Sequence, residues 1–308
     1  MLTPQIPLAF ILVALIFALV EYQWRKRGGV GYSFGSLGAN LGIMLGLGVS
    51  RAITSGLIAG VYLVIYAFAP IKWDMANPLT WVAGFFVLEF FYYWQHRFSH
   101  TIRWFWAAHS VHHSTNEFTL PAAFRLSWFS AFAGNWIVLS PMVLLGFHPL
   151  ILGTLLVINL RYQYFLHTEA VGKLGPLEWV LNTPSHHRAH HGSNSEYLDT
   201  NYGGVLIIFD RLFGTFAEEK DDNPVVYGLT KPLKSHNPIT INFHEWRNLV
   251  NDAWHSQTLP ELWHAVFGRP SDGPYRQRGP RRASDPAISR VSNPVQRALV
   301  DSRSRKII

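Results

Sequence analysis

Histidines at helical spacing are the residues of this chain best suited to chemistry. The 308-residue sequence has 15 histidines, and ten of them lie in three clusters and at one isolated position, His167. Positions i, i+3 and i+4 of an α-helix share one face, so a cluster with that spacing directs its imidazoles to one point. Such spacing joins His96 with His100, His109 with His112 and His113, and His187 with His190 and His191. Three such clusters in one chain predict a metal site.

The number of imidazoles predicts two metal ions. One ion takes about four to six ligands, and nine imidazoles exceed that number. Two ions would each keep a position open for another ligand, as catalytic metal sites do. Imidazole binds iron, zinc, copper and nickel, so spacing alone does not choose among them. The predicted ligands are His96, His100, His109, His112, His113, His167, His187, His190 and His191.

Other polar residues are predicted to lie beside the ligands or the substrate. His186 precedes the third cluster by one position and therefore faces about 100° away from it on a helix. Nearby acids could orient the rings and offset the metal charge, and Arg125 could meet a substrate headgroup. The alternatives are ordinary surface carboxylates and an arginine at a membrane boundary. The predicted set is His186, Glu117, Glu169, Asn194, Asp199, Asp210 and Arg125.

The composition is that of a membrane protein. Hydrophobic residues make up 49% of the chain and charged residues only 15%, against about 25% in soluble domains. The mean hydropathy is +0.10. Cysteine is absent, which excludes disulfides, iron–sulfur clusters held by this chain and zinc–thiolate sites. A nucleic-acid partner is not expected.

Apolar segments predict several membrane spans. A run at 6–20 is followed by Arg25, Lys26 and Arg27, which predicts a first helix with its C-terminal end in the cytoplasm. Segment 37–70 is read as a span over 53–69 preceded by a glycine-rich helix, or as one long tilted helix. Further spans are predicted over 80–94, 128–147 and 150–165. All histidine clusters then fall on the cytoplasmic face. We therefore expect an all-α integral membrane protein with about four to five transmembrane helices and a cytoplasmic helical cap.

Four regions follow from these segments. Residues 1–79 supply N-terminal membrane helices, 80–235 the catalytic domain, 236–270 a peripheral helical extension, and 271–308 a basic disordered tail that is either solvated or bound to anionic lipid. Within the catalytic domain, Asn182, Thr183 and Pro184 predict the start of the helix that carries the third cluster, with a capping side chain and a proline in the first turn.

The clusters and their flanks resemble a known family. The three clusters look like the histidine boxes of the membrane fatty acid hydroxylase/sterol desaturase superfamily. Over roughly residues 80–235, the flanking sequences resemble the alkylglycerol monooxygenase branch in particular. They are FFYYWQHR at 90–97, WAAHSVHHS at 106–114, FLHTE at 165–169, LNTPSHHRAHHGSN at 181–194 and NYGGVLIIFDRLFGT at 201–215. The resemblance implies a non-haem di-iron centre, O2 as the oxidant and a lipid C–H bond as the target.

The resulting hypothesis is a membrane-bound lipid hydroxylase or monooxygenase with two iron ions. Its substrate would be a fatty acyl chain, a sterol or an alkylglycerol ether. It would need an external electron donor, either a reduced pterin or a ferredoxin- or cytochrome-type partner. A desaturase or an ether-cleaving enzyme would use the same metal site, and a membrane metal-binding or transport protein is the alternative of a different class. The oligomeric state stays open.

Overall fold

The apolar runs and the histidine clusters fold into α-helices in the computed structural model, which describes residues 5–270. These residues contain no β-strand, only two isolated bridges, so the predicted all-α fold is confirmed for them. The predicted tail at 271–308 lies outside the described residues. The helices are α1 (Gln5–Arg27), α2 (Phe34–Ala67), α3 (Pro78–Thr101), α4 (Arg103–His113), α5 (Ser130–Ala133), α6 (Ser140–Leu144), α7 (Pro149–Tyr164), α8 (Pro184–His190), α9 (Ile208–Phe213), α10 (Pro238–Trp254) and α11 (Leu259–Phe267).

Two described helices, α1 and α2, are long and apolar enough to cross a membrane. Helix α2 runs for 34 residues without interruption. The separate span predicted over 53–69 is therefore wrong, and the alternative of one long helix is correct. Ser33 caps this helix by accepting a hydrogen bond from the Ser36 amide, and no proline follows until Pro70. Arg51 does not break the helix because its side chain points outward and leaves the backbone hydrogen bonds intact.

The apolar segment at 128–147 does not form the single helix that was predicted. It contains the four-residue α5, a 3-10 helix over Asn135–Leu139 and the five-residue α6. Gly134 ends α5 with a left-handed backbone at φ 83°, and Pro141 lacks the amide hydrogen that a continuous helix would use. Hydrophobicity alone did not reveal these breaks. The helix predicted over 150–165 is present as α7.

Helices α3, α6 and α7 pack around the largest apolar core. Leu88, Met142 and Ile151 are fully buried there, together with Phe147. Helix α10 packs across α2 and α4. Helix α2 also contacts the segment before α5, where a Cβ atom on Gly46 would lie only 2.4 Å from the Trp128 indole, so glycine is needed for this approach. The core places the C-terminal ends of α3 and α7 side by side.

Buried polar contacts hold α1 against the rest of the molecule. Arg25 is 1% exposed and pairs with Glu169 at 2.8 Å. Glu21 accepts hydrogen bonds from the amide of Leu120 and the hydroxyl of Thr168. Arg25 is one of the three cations predicted to mark a cytoplasmic helix end, but its side chain lies inside the protein and holds α1 in place.

Candidate metal centre

Four segments deliver the predicted ligands. His96 and His100 occupy the last turns of α3, and α4 carries the second cluster. His167 follows α7 directly. The third cluster lies on α8, which begins at Pro184 with Thr183 as its cap and ends at the capping residue His191. The predicted helix start at Thr183 and Pro184 is confirmed.

The fold divides the nine histidines into two groups. Within each group, one ring nitrogen from every member lies within 4.8 Å of those of all the others. We call them the five-histidine and the four-histidine groups. The five-histidine group contains His96, His100, His109, His113 and His190. The four-histidine group contains His112, His167, His187 and His191.

The geometry within the groups fits metal ligation. The Nε2 atoms of His96 and His109 are 3.1 Å apart, and those of His167 and His187 are also 3.1 Å apart. Two imidazoles that bind one ion at about 2.1 Å, at a right angle, place their nitrogens about 3.0 Å apart. Several buried ring nitrogens have no hydrogen-bond partner, including Nε2 of His190 and both nitrogens of His191. Such a concentration of unsatisfied buried nitrogens is costly unless an ion binds there.

The surroundings keep these rings neutral. Burial lowers the pKa of His167 to about 4. Burial, followed by the neighbouring imidazoles, holds the pKa values of His112, His187 and His190 well below the usual range for histidine. Neutral imidazole is the form that binds a metal, so the site presents its ligands ready for use near pH 7.

Backbone carbonyls orient three of the rings from behind. Nδ1 of His96 lies 2.9 Å from the Tyr202 carbonyl, and Nδ1 of His190 lies 2.7 Å from the Thr200 carbonyl. Nδ1 of His167 lies 2.8 Å from the carbonyl of Gln163 in α7. A carbonyl at Nδ1 fixes the tautomer that leaves Nε2 free for a metal, as in many metal sites.

Known proteins with similar sequences place this chain in one family. A model of the fatty acid hydroxylase family matches residues 81–215, the part of the chain that contains all nine histidines. Alkylglycerol monooxygenase from Homo sapiens is 40% identical over 213 residues, which is 69% of this chain and 46% of that protein. The Danio rerio protein of that name is 34% identical over 302 residues, 94% of this chain and 66% of that protein. The chain belongs to the fatty acid hydroxylase family.

A bacterial family relative is similar over a comparable length. Ornithine lipid hydroxylase OlsE from Rhizobium tropici is 27% identical over 228 residues, which is 71% of this chain and 68% of that protein. This chain spans about a third to two thirds of the alkylglycerol monooxygenases that it matches. No solved structure matches it.

Two of the predicted acids support the five-histidine group of this fatty acid hydroxylase family member. An Asp199 carboxylate oxygen lies 3.6 Å from Nδ1 of His100. Asp210 is fully buried and accepts hydrogen bonds from the amides of Tyr202 and Gly203, both at 2.7 Å. Asp210 thereby fixes the segment whose carbonyl contacts His96.

Three other predicted residues lie apart from both groups. His186 points toward Glu178, 3.8 Å away, and its ring packs against Phe216. Glu169 pairs with Arg25 of α1. Glu117 accepts a hydrogen bond from the Ser33 amide at 3.2 Å.

Of the remaining two predicted residues, one closes a loop and the other lines a cavity. Asn194 donates a hydrogen bond to Asn223 and accepts one from the amide of Val226, which closes a loop beyond α8. Arg125 is buried and lines a polar cavity that adjoins the second cluster.

A buried polar network behind the histidines was missed in the sequence. Glu89 of α3 accepts hydrogen bonds from Asn159 and from the amides of Val205 and Leu206. Asn159 in turn accepts one from Gln163, whose carbonyl contacts His167. A signal existed, because Glu89 is the only residue of the apolar segment 80–94 whose side chain normally carries a charge near pH 7, and such residues usually have a function.

Proposed function

We propose that this chain is an integral-membrane, iron-dependent lipid hydroxylase or monooxygenase that uses O2 on a lipid C–H bond. The observation that carries the proposal is the pair of buried histidine groups. They hold nine neutral imidazoles next to helices long enough to cross a membrane. The named activities of the relatives, alkylglycerol monooxygenase and ornithine lipid hydroxylase, support lipid oxygenation.

The proposed centre holds two iron ions, one in each histidine group. Bound iron would supply the activation of O2. The protein contributes the rest: neutral nitrogens, carbonyls that orient the rings, and the carboxylates of Asp199 and Asp210, one beside His100 and the other behind Tyr202. Oxygenation of a C–H bond with one atom of O2 also requires two electrons and two protons, with water as the second product. We propose an external donor, a reduced pterin or a ferredoxin- or cytochrome-type protein, because a chain without cysteine cannot ligate its own iron–sulfur cluster.

The proposed placement explains how a lipid reaches the site. Four to five spans, with residues 80–235 as the catalytic domain and 236–270 as a peripheral extension, would put the histidines at the cytoplasmic ends of α3 and α7. A lipid could then keep its chains in the bilayer while its reacting carbon enters between the helices. The length and hydropathy of α1 and α2 support membrane insertion.

Oxygen-isotope transfer tests the proposal directly. The full chain is purified in a non-ionic detergent, loaded with Fe²⁺ and supplied with ¹⁸O2, a chemical reductant and a membrane lipid extract. We expect iron-dependent incorporation of one ¹⁸O atom into a lipid, detected by mass spectrometry. Zinc-loaded protein and His112→Ala are the controls, and both should give no labelled product.

Other outcomes identify the competing functions. Formation of a new double bond without ¹⁸O would indicate a desaturase. Release of a labelled aldehyde from an alkylglycerol would indicate ether cleavage after hydroxylation. Transfer of iron into sealed vesicles, without lipid oxidation, would contradict an oxygenase and indicate metal transport.

A further inference from the structure

A polar cavity lies beside the histidines but is not part of either group. It has a volume of about 80 Å³, well above the roughly 10–15 Å³ that a single water molecule requires. It is enclosed by the first turn of α2, the segment after α4 and the segment before α10. Ser114, which directly follows His113, forms part of its wall. Its wall also includes Ser36, Glu117, Arg125, Lys234 and His236.

Arg125 is the unusual residue of this cavity. Its side chain is only 3% exposed, and its Nε atom is buried without a hydrogen-bond partner. Across residues 5–270, no side chain forms an ion pair with it. Glu117, in the same wall, accepts its hydrogen bond from the Ser33 amide instead. Burial lowers the pKa of Arg125 to about 10, which still leaves it charged near pH 7. The charge of Glu117 opposes this lowering, but no carboxylate in this part of the chain contacts the guanidinium directly. A buried guanidinium without a direct ion pair is unfavourable, so the cavity favours an anion.

Two further features favour negative charge at the same place. Ser36 belongs to the first turn of α2, so the positive end of a 34-residue helix faces the cavity. Lys234 adds an exposed ammonium group at the rim. The wall therefore offers a guanidinium, an ammonium and a helix terminus against the single carboxylate of Glu117. Donors that approach from several sides suit a phosphate, which has more acceptor oxygens than a carboxylate.

The apolar surface next to the cavity indicates where that phosphate comes from. Phe34 is 82% exposed, and Leu37 and Leu41 are also exposed along the same helix. These residues begin the candidate membrane span α2, so apolar chains can lie along α2 while a headgroup enters the cavity.

We propose that this cavity binds the phosphate group of a phospholipid, which makes phospholipids the substrate class of the adjacent metal centre. The second part of this statement rests on the proposed oxygenase function, whereas the phosphate site itself does not. Soluble inorganic phosphate offers the same chemistry and is the alternative source.

Calorimetric titration of the full chain in a non-ionic detergent tests the site. The probes are dioctanoyl phosphatidylglycerol, dioctanoylglycerol and inorganic phosphate. We expect the phospholipid to bind about ten- to a hundredfold more tightly than the neutral lipid, the range for hydrogen bonds to charged groups. Arg125→Met should abolish this difference, whereas the exposed Arg247→Met is the matched control and should keep it. Equal binding of the two lipids by the native chain would overturn the site.

A second variant guards against misfolding of Arg125→Met. Lys234 is exposed, so Lys234→Met should fold normally and weaken phospholipid binding about two- to threefold. An unchanged preference in Lys234→Met, with Arg125→Met either unfolded or also unchanged, would overturn the proposal. Inorganic phosphate that binds as tightly as the phospholipid would support a phosphate site and overturn the lipid as its source.

The ¹⁸O2 assay separates this proposal from the proposed function. Oxygenation of lipids without any preference for phosphate would overturn the cavity and leave the oxygenase. Phosphate-dependent lipid binding without oxygenation of any lipid would overturn the oxygenase and leave the cavity.

Discussion

The two histidine groups differ in how their rings are supported. In the five-histidine group, two rings contact backbone carbonyls, and His100 lies near the carboxylate of Asp199. In the four-histidine group, the ring of His167 contacts the Gln163 carbonyl and that of His112 lies near the backbone of Arg125, whereas Nδ1 of His187 has no partner. No carboxylate among residues 5–270 forms an ion pair with these three rings, and aromatic packing adds to the support of His167, because Phe118 stacks on it with ring centroids 5.5 Å apart.

This difference indicates that the two groups have different roles in binding exogenous ligands. Four imidazoles leave more of an ion's coordination positions to other ligands than five do. The four-histidine group therefore has the more open site, while the five-histidine group has more ligands and a nearby negative charge. We expect exogenous ligands to bind mainly at the four-histidine group.

The largest expected effect comes from removing one ligand in each group. His190→Ala removes a ligand from the five-histidine group, and His112→Ala removes one from the four-histidine group. His112→Ala should hold about one ion where we propose about two for the native chain, whereas His190→Ala, which keeps four imidazoles in its group, should hold its second ion more weakly. Oxygenation should fall more than about a hundredfold, beyond the effect typical of residues that only orient ligands. Elemental analysis and the ¹⁸O2 assay measure the two quantities, with the exposed His255→Ala as the control. Two ions held as tightly as in the native chain by either ligand variant would show that the ligand set is wrong.

The next effect concerns the residue that ties α8 to the segment after His167. Arg188 is 2% exposed, forms a two-point pair with Glu219, and donates to the carbonyls of Thr168 and Val171. Arg188→Met should lower stability by about 3–5 kcal/mol, because it leaves the carboxylate of Glu219, which is only 13% exposed, and two backbone carbonyls without their partner. Thermal unfolding in detergent measures this change.

Arg188→Met should displace the ligands of the four-histidine group more than those of the five-histidine group. His167 and His187 lie on the two segments that Arg188 joins. Lys173→Met breaks the exposed pair with Glu218 and should cost less than about 1 kcal/mol. Equal losses in the two variants would contradict the structural role of Arg188.

A smaller effect is expected at the carboxylate of the five-histidine group. Asp199→Asn should weaken metal binding there about tenfold, since residues that orient ligands usually contribute 10- to 100-fold. Asparagine suits this position because residue 199 has a left-handed backbone at φ 58°. Competition with a chromophoric chelator measures affinity, and the exposed Glu196→Gln is the control. Unchanged affinity would show that Asp199 does not act on His100.

The smallest effect is expected at the aromatic wall of the four-histidine group. Phe118→Leu should lower stability by about 1 kcal/mol, because it removes ring stacking on His167 and Tyr227 but keeps most apolar contacts. Metal content should stay unchanged. Loss of an ion in this variant would show that Phe118 supports the ligands and not only the packing.

The clusters could be predicted from the sequence because helical spacing alone decides which histidines share a face. Their division into two groups could not. His187 and His191 join one group while His190, on the same helix, joins the other. Helix α8 lies between the groups, and successive residues point about 100° apart, so only the tertiary placement of α8 assigns each ring.

Other features were hidden for a similar reason. Glu89 and Asn159 meet across α3 and α7, 70 positions apart in the sequence, so neither residue reveals the other. The breaks at Gly134 and Pro141 lie within an apolar run whose hydrophobicity is that of a span. The positions of Gly134 and Pro141 therefore determine where the helices of this segment end, which its hydropathy does not show.

The buried contacts of α1 have a consequence for synthesis. Arg25 and Glu169 are 144 positions apart, and Glu21 and Thr168 are 147 apart. At a synthesis rate of about 5–20 residues per second, α1 is made roughly 7–30 seconds before these partner residues are added to the chain. During that interval a carboxylate and a guanidinium that end up buried must stay solvated at the membrane surface. Final docking of α1 is therefore a late step, completed only after the chain has been made beyond His167.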